Sequence, residues 1–443
     1  MNLLNILKLF VNKAGAERVF SDKINNLAQR CYDITMVTCE QGCHPFAFLM
    51  HDSAHHVDLD TRFSKDKQQP MKIVYVYHSI ALWGGVERIF VDKMNYLANV
   101  YGYEVYILTY NQGSHEIPFA VSPKVHYEDL GVCIHYQYHY HGPRRYWECF
   151  VRQQRLRRLL KAKFHEINPD VIITTTAEMM PFQNKIRGGA ALIAESHSDF
   201  DHVIEFDHQN WRHWIQQRRR YRLLKHVDMV VVLTEADAWR WRTLTGHVVA
   251  IPNIVHLNKT EKYSDHEQKR AIFVGRFAKQ KAIPNLLAAW QLVHQRHPDW
   301  QLDMYGNGEY KDYYVKAIAA LNANIMVHEP TKEIADKYCQ SSMLLLTSLY
   351  EPFGLVIPEA MSCGLPVVSF EGDGPCSIIT DGSDGFIVKN RSIESFADRV
   401  CQLIEDQDLR RRMGQVAVVS AQRYSADKIM PLWKELFESL VKE

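Results

Sequence analysis

The sequence predicts an α/β protein of two Rossmann-like β/α/β domains facing a cleft, preceded by a partial N-terminal repeat. Three observations carry that expectation. Apolar strand-like runs that end in glycine-bearing loops and lead into helical stretches occur at 72–100 and again at 271–290, the alternation that builds parallel sheets. A charged stretch without apolar periodicity, 255–270, lies between them and reads as a linker. A 14-residue run, 15–28, returns at 85–98 with nine identical positions.

The repeat comes first in chain order. Its echo continues from 38–44 into 109–115 and from Asp58-Leu59 into Asp129-Leu130, then stops. A period that occurs only twice is not a solenoid. Residues 1–64 therefore read as a truncated copy of a β-α-β unit, joined by the polar stretch 65–70 to a complete one. No catalysis is expected from the truncated copy; packing on the main domain and a role in a dimer both fit it.

The complete domain, 71–254, opens with strand Lys72–Tyr77, the loop Trp83-Gly84-Gly85, a helix from Val86 to about Val100 and a strand at 104–110. Glycines stand where the chain must turn tightly and approach a ligand, although a plain turn explains a Gly-Gly pair equally well. Buried strands follow at 169–174 and 191–197, and His197 falls at the C-terminal edge of the sheet. The second domain, 271–425, starts with strand 271–274 and the loop Gly275-Arg276-Phe277-Ala278-Lys279-Gln280-Lys281. Strand 301–305 ends in Gly306-Asn307-Gly308, which lacks the third glycine of a dinucleotide fingerprint. A final helix, 426–443, is expected to return to the first domain.

Composition bounds the function. With 443 residues, 47% hydrophobic and 23% charged, the chain is long enough for two or three domains of ordinary globular character. A net charge of +1 gives no reason to expect nucleic acid as a partner. Nine scattered cysteines without a Cys-x-x-Cys pair suit reduced thiols in a cytoplasm and outline no metal site. No apolar run approaches the roughly 20 residues that span a bilayer, and Met1–Val11 lacks a basic n-region and a cleavage site.

The most informative stretch runs from Tyr350 to Phe370. A strand, 343–346, leads into Glu351-Pro352-Phe353-Gly354-Leu355-Val356-Ile357-Pro358-Glu359 at a helix start. Such loops bind phosphorylated ligands in open α/β folds. Two ionised carboxylates, which only accept hydrogen bonds, suit the paired hydroxyls of a sugar or ribose. A capped helix beside a surface acid would account for Glu351 equally well.

This Glu-x7-Glu run resembles the signature of retaining glycosyltransferases of family 4, which have the GT-B fold, and the resemblance covers about 71–443. It implies transfer of a sugar from a nucleotide-sugar donor, with a UDP-sugar favoured, to a glycan or lipid-linked acceptor in surface polysaccharide synthesis. It implies no metal and no cofactor besides the nucleotide-sugar co-substrate. The residues it places in catalysis are Glu351, His197, Arg276 and Lys281. Donor binding falls to Gly84, Gly85, Gly275, Arg276, Lys281, Gly306, Phe353, Gly354, Leu355, Val356 and Glu359, with Trp83 and Glu87 less firmly placed. Arg276 and Lys281 would hold the leaving diphosphate, a fork and a point charge dividing that task. Glu359 would accept from the ribose, and Glu351 would face the transferred sugar.

The chain departs from the family pattern at several positions. Ala282 and Ile254 stand where glycines are usual, Ser377 where a glutamate is frequent, and the base-gripping segment 326–330 lacks a glycine. Two basic helices, 146–164 and 211–225, carry aromatics beside Arg and Lys, a pattern suited to peripheral contact with anionic lipid. Charged solvent faces on core-packed helices fit it too. Location in the cytoplasm, at the inner face of the plasma membrane, follows from the same reading. Two other classes stay open: a sugar-nucleotide epimerase of the same fold, and a catalytically silent nucleotide-binding paralogue.

Overall fold

A computed structural model describes residues 34–38, 54–58, 69–82, 84–201, 222–258, 260 and 262–441. The chain forms two compact units, Met1–Pro70 and Met71–Glu443. In the first, strands β1 (Ile34–Thr38) and β2 (Ala54–Asp58) pair in parallel, Ile34 opposite Ala54 and Thr38 opposite Asp58. The repeated run 15–28 and the expected linker residues 65–68 lie outside the described residues.

The second unit holds two sheets. The first contains β3 (Lys72–Tyr77), β4 (Glu104–Thr109), β5 (Val125–Asp129), β6 (Val171–Thr175), β7 (Ala191–Glu195), β8 (Met229–Val232) and β9 (Val248–Ala250). Its order is β5-β4-β3-β6-β7-β8-β9, all parallel. In the β4–β5 pair Val105 faces Val125 and Thr109 faces Asp129. That is the register of β1 and β2 displaced by 71 positions. Helices α1 (Gly85–Asn99), α2 (Gly142–Ile167), α3 (Gln183–Ile186) and α4 (Glu235–Trp241) belong to this domain.

The second sheet contains β10 (Arg270–Val274), β11 (Gln301–Tyr305), β12 (Ile325–His328), β13 (Met343–Leu346), β14 (Val367–Phe370) and β15 (Gly385–Val388). Its order is β12-β11-β10-β13-β14-β15, again all parallel. Helices α5 (Ile283–Arg296), α6 (Lys311–Leu321), α7 (Ile334–Cys339), α8 (Val356–Ser362), α9 (Asp373–Ile378), α10 (Ile393–Glu405) and α11 (Gln407–Ala421) pack around it. The strands are near-continuous apolar runs such as Met343-Leu344-Leu345-Leu346, every residue buried, as a sheet covered on both faces requires. In both sheets the strand order reverses beside one strand, β3 in the first and β10 in the second. Crevices at the carboxyl ends of strands beside such a reversal are where open α/β sheets bind ligands.

Helix α12 (Ala426–Val441) starts at the position expected for the final helix. Its Ile429, Met430, Trp433 and Phe437 are buried in one core with Ile73, Tyr75 and Phe90 of the first domain. The charged segment read as the linker between the domains, 255–270, is anchored. Val255, Ser264 and His266 are buried, the Ser264 N–H donates to the Cys363 carbonyl at 2.9 Å, and the Ser264 hydroxyl donates to the Ser341 carbonyl at 2.5 Å. Backbone hydrogen bonding satisfies this stretch without any apolar period.

Candidate functional site

Three loops at the carboxyl ends of β3, β10 and β13 bring the expected residues together. After β10, Gly275 donates its N–H to the Tyr305 carbonyl at 3.0 Å and Phe277 donates to the Asn307 carbonyl at 2.9 Å. Loop 275–277 therefore lies against loop 306–308, backbone to backbone. A Cβ on Gly306 would stand 1.9 Å from the Gly275 carbonyl oxygen, and one on Gly308 2.7 Å from that of Phe277, so only glycine permits this approach.

A short 3-10 turn, Lys279–Lys281, then aims Lys281 at Glu351, with which it forms an ion pair. The Ser348 hydroxyl donates to the same carboxylate at 3.0 Å. Ala282 follows at φ +45°, the left-handed backbone that explains why a glycine is usual there. Arg276 is exposed and its charge acts on the Tyr350 phenol.

After β13 the chain passes through Glu351 and buried Phe353 to Gly354 at φ +90° and on into α8. Gly374, in the first turn of α9, donates its N–H to the Glu351 carbonyl at 3.0 Å. A Cβ there would meet the Phe353 carbonyl oxygen at 2.2 Å. Leu355 and Val356 begin α8, whose first turn carries Glu359, only 8% exposed. Ser377, the departure from the expected glutamate, turns its hydroxyl back to the Gly374 carbonyl at 2.7 Å.

The loop after β3 faces this segment. Helix α1 starts at Gly85, one residue before the expected position, with Gly84 as its cap. A Cβ on Gly85 would lie 3.1 Å from Leu355 Cδ1, which brings the glycine loop of one domain into contact with the acidic loop of the other. Trp83 lies outside the described residues. Glu87 is buried and accepts from the Tyr77 hydroxyl at 3.3 Å, so it acts within its own domain.

Residues the sequence reading did not single out complete the site. Arg88, one helical turn into α1, crosses to the second domain and pairs with Oε1 of Glu359. Burial would lower the guanidinium's proton affinity, but the carboxylate outweighs it and holds it above its usual range. A second crossing is made by Arg240 of α4, which joins Asp201 (3.2 Å) and Asp237 (3.4 Å) to Asp373 of α9. Asp199 is pushed up to about 7, first by burial and then by the neighbouring Asp237, with Glu351 adding to the effect.

His197 is placed beyond the end of β7 with its ring 9% exposed, and its Nε2 lies 3.1 Å from Oε2 of Glu195. It stands edge-on to Phe90, centroids 5.2 Å apart. The histidine is therefore held by its own strand, not displayed freely in the cleft.

Of the two basic helices, 146–164 falls inside the longer α2, whose Tyr146, Trp147 and Phe150 are 70%, 65% and 53% exposed. Most of 211–225 lies outside the described residues. Among the described residues no helix is long and apolar enough to cross a membrane.

Comparison with known proteins adds to this geometry. Residues 83–259 match the family described as Glycosyltransferase Family 4, and 257–418 the family described as Glycosyl transferases group 1. An uncharacterised glycosyltransferase of Haemophilus influenzae is 26% identical over 82% of this chain and 99% of its own length. The amylovoran biosynthesis glycosyltransferase AmsD of Erwinia amylovora is 31% identical over 47% of this chain, which spans 62% of that relative. Among solved structures, TarM of S. aureus, a mutant in complex with fondaparinux, alpha-GlcNAc-glycerol and UDP, superposes with a TM-score of 0.67. That match has 16% identity and covers 83% of this chain and 99% of TarM.

Proposed function

The chain is a glycosyltransferase of GT-B fold, and from that premise we propose that it transfers a hexosyl unit from a UDP-sugar to a glycan or lipid-linked acceptor in polysaccharide biosynthesis, with retention at the anomeric carbon. The observation that carries the reading is the convergence of Arg276, Lys281, Glu351 and Glu359 on the loops after β10 and β13, opposite Gly85 and Arg88.

In this reading the diphosphate lies along Gly275, Arg276 and Lys281, where a guanidinium and an ammonium meet the charge that develops as the glycosidic bond breaks. Lys281 turns from Glu351 to the phosphate. Glu359 keeps Oε1 on Arg88 and offers Oε2 to the ribose hydroxyls, a charge-assisted bond of about 1.5–3 kcal/mol. Glu351 faces the anomeric carbon and stabilises its partial positive charge. The bond from that carbon to the β-phosphate oxygen breaks with its electron pair leaving on UDP. The acceptor oxygen bonds to the same face, and its proton passes to the departing phosphate oxygen. The cations at the diphosphate supply the charge that a metal ion provides in other transferases, so the reaction is read as metal-independent.

Preference for UDP rests on the UDP complex of TarM. The aromatic and basic start of α2 supports peripheral contact with anionic lipid at the inner membrane face: Tyr146, Trp147 and Phe150 are exposed beside Arg144 and Arg145. Vesicle sedimentation in low and high salt tests this point. The equal register of β1–β2 and β4–β5 supports a partial duplication at the N-terminus.

Thermal shifts with UDP, GDP and ADP, on the wild type and Glu359→Ala, test the site. A shift for UDP that the variant loses is expected; no shift with any nucleotide would overturn the donor-site reading, and a shift without turnover would return the silent-paralogue reading. Product analysis then separates a transferase, which releases free UDP, from an epimerase, which yields an isomeric UDP-sugar.

A further inference from the structure

The first domain carries a charge pair that neither its stability nor donor contact explains. Lys93 of α1 and Glu195, the last residue of β7, form an ion pair with side chains each 3% exposed. The Lys93 ammonium lies 4.1 Å from the Trp433 ring centroid and 5.1 Å from that of Phe90. Burial pulls its proton affinity down, and Glu195 opposes that only in part. On Glu195 the balance is reversed: burial pushes the carboxyl up, but Lys93 and His197 outweigh it and hold it below its usual range.

Buried ion pairs are weak sources of stability, and apolar replacements of similar volume are often as stable. What this pair does have is a third member. Oε2 of Glu195, the oxygen that meets Lys93, also meets Nε2 of His197 at 3.1 Å.

We propose that Lys93 and Glu195 are positioning residues for His197, fixing its ring orientation and its tautomer at the donor site. An ionised carboxylate only accepts, so the imidazole must carry its proton on Nε2. Nδ1 is then left as an acceptor, and among the described residues this buried atom has no protein hydrogen-bond partner. Lys93 keeps Glu195 ionised, and the edge of Phe90 closes one side of the ring. Trp433 ties the arrangement to α12.

The role in transfer rests on the glycosyltransferase reading and on the catalytic place that the family resemblance gives His197, whereas the tautomer does not. Long-range 1H–15N correlation on the full chain labelled at histidine, with His197 assigned by its loss in His197→Ala, reads the proton's position directly. Nε2–H is expected in the wild type, and Nδ1–H there overturns the inference without any variant.

Two double variants then separate positioning from mere packing. K93M/E195L removes the acceptor, and the tautomer preference should collapse while kcat for UDP release from UDP-glucose or UDP-N-acetylglucosamine falls on the order of 10-fold with KM nearly unchanged. K93M/E195Q keeps an acceptor oxygen and should restore both readings to within about threefold. Equal behaviour of the two variants, or an unmoved tautomer in K93M/E195L, overturns the proposal. Wild-type turnover in His197→Ala would overturn the donor-site reading, and with it the role in transfer.

Discussion

The pair between Arg88 and Glu359 joins residues of opposite domains, and a double-mutant cycle on it tests the site without requiring a known acceptor. Arg88→Met strips the guanidinium from a carboxylate whose side chain is 10% exposed, while the Arg88 side chain is 29% exposed. The two substitutions are therefore unequal. Removing Arg88 strands a nearly buried carboxylate and forfeits a charge-assisted bond of about 1.5–3 kcal/mol. Glu359→Met releases an arginine that can reach water, at smaller cost. In the double variant neither penalty applies, so the coupling energy should be about 2 kcal/mol, well above the ~0.5 kcal/mol within which independent sites add. Urea unfolding of the four proteins at low and moderate salt gives that number. Calorimetric titration with UDP gives a second, because Arg88→Met should weaken UDP binding about tenfold, or about 1.4 kcal/mol. Additive stabilities together with unchanged UDP affinity in Arg88→Met would refute the reasoning.

Two further outcomes are expected. Asp199 has a folded-state pKa of about 7 against an ordinary 3.8, so between these values the folded protein binds the extra proton and stability falls as pH rises; Asp199→Asn should raise the melting temperature at pH 8 and leave it unmoved near pH 4, as thermal scans across pH will show. Gly308→Ala forces a Cβ to within 2.9 Å of three backbone atoms of Phe277; a cost of about 1–3 kcal/mol, read by urea denaturation, should come with weakened UDP binding.

The sheets were legible because their strands are short apolar runs, as at 271–274 and 343–346, the first followed directly by Gly275. The loops that follow β3, β10 and β13 were legible for the same reason, and the strand orders put them beside the points of reversal. Partners across the chain were not. Arg88 and Glu359 are 271 positions apart and Lys93 and Glu195 are 102 apart, and no local pattern encodes such meetings. Arg88 did carry a faint signal, standing three residues after the loop glycine in both copies of the repeat. Ala282 misleads in another way: its positive φ is imposed by the turn around it, and propensity alone places no alanine there. His197 was placed at the correct sheet edge, but its tether to Glu195 depends on a carboxylate that reads in sequence as one more strand residue.

The burial of α12 among residues of β3 and α1 bears on the order in which the molecule can be made. Ile73 leaves the ribosome about 350 residues ahead of Ile429 and Trp433, which share its core. At elongation rates of about 5–20 residues per second, the first domain waits tens of seconds with that apolar face uncovered. The second domain, whose own core draws on residues 271–413, can close before it. Vectorial folding is thus inverted in this chain: the domain that emerges first is completed last, and a nascent-chain chaperone would find its binding surface on that waiting face.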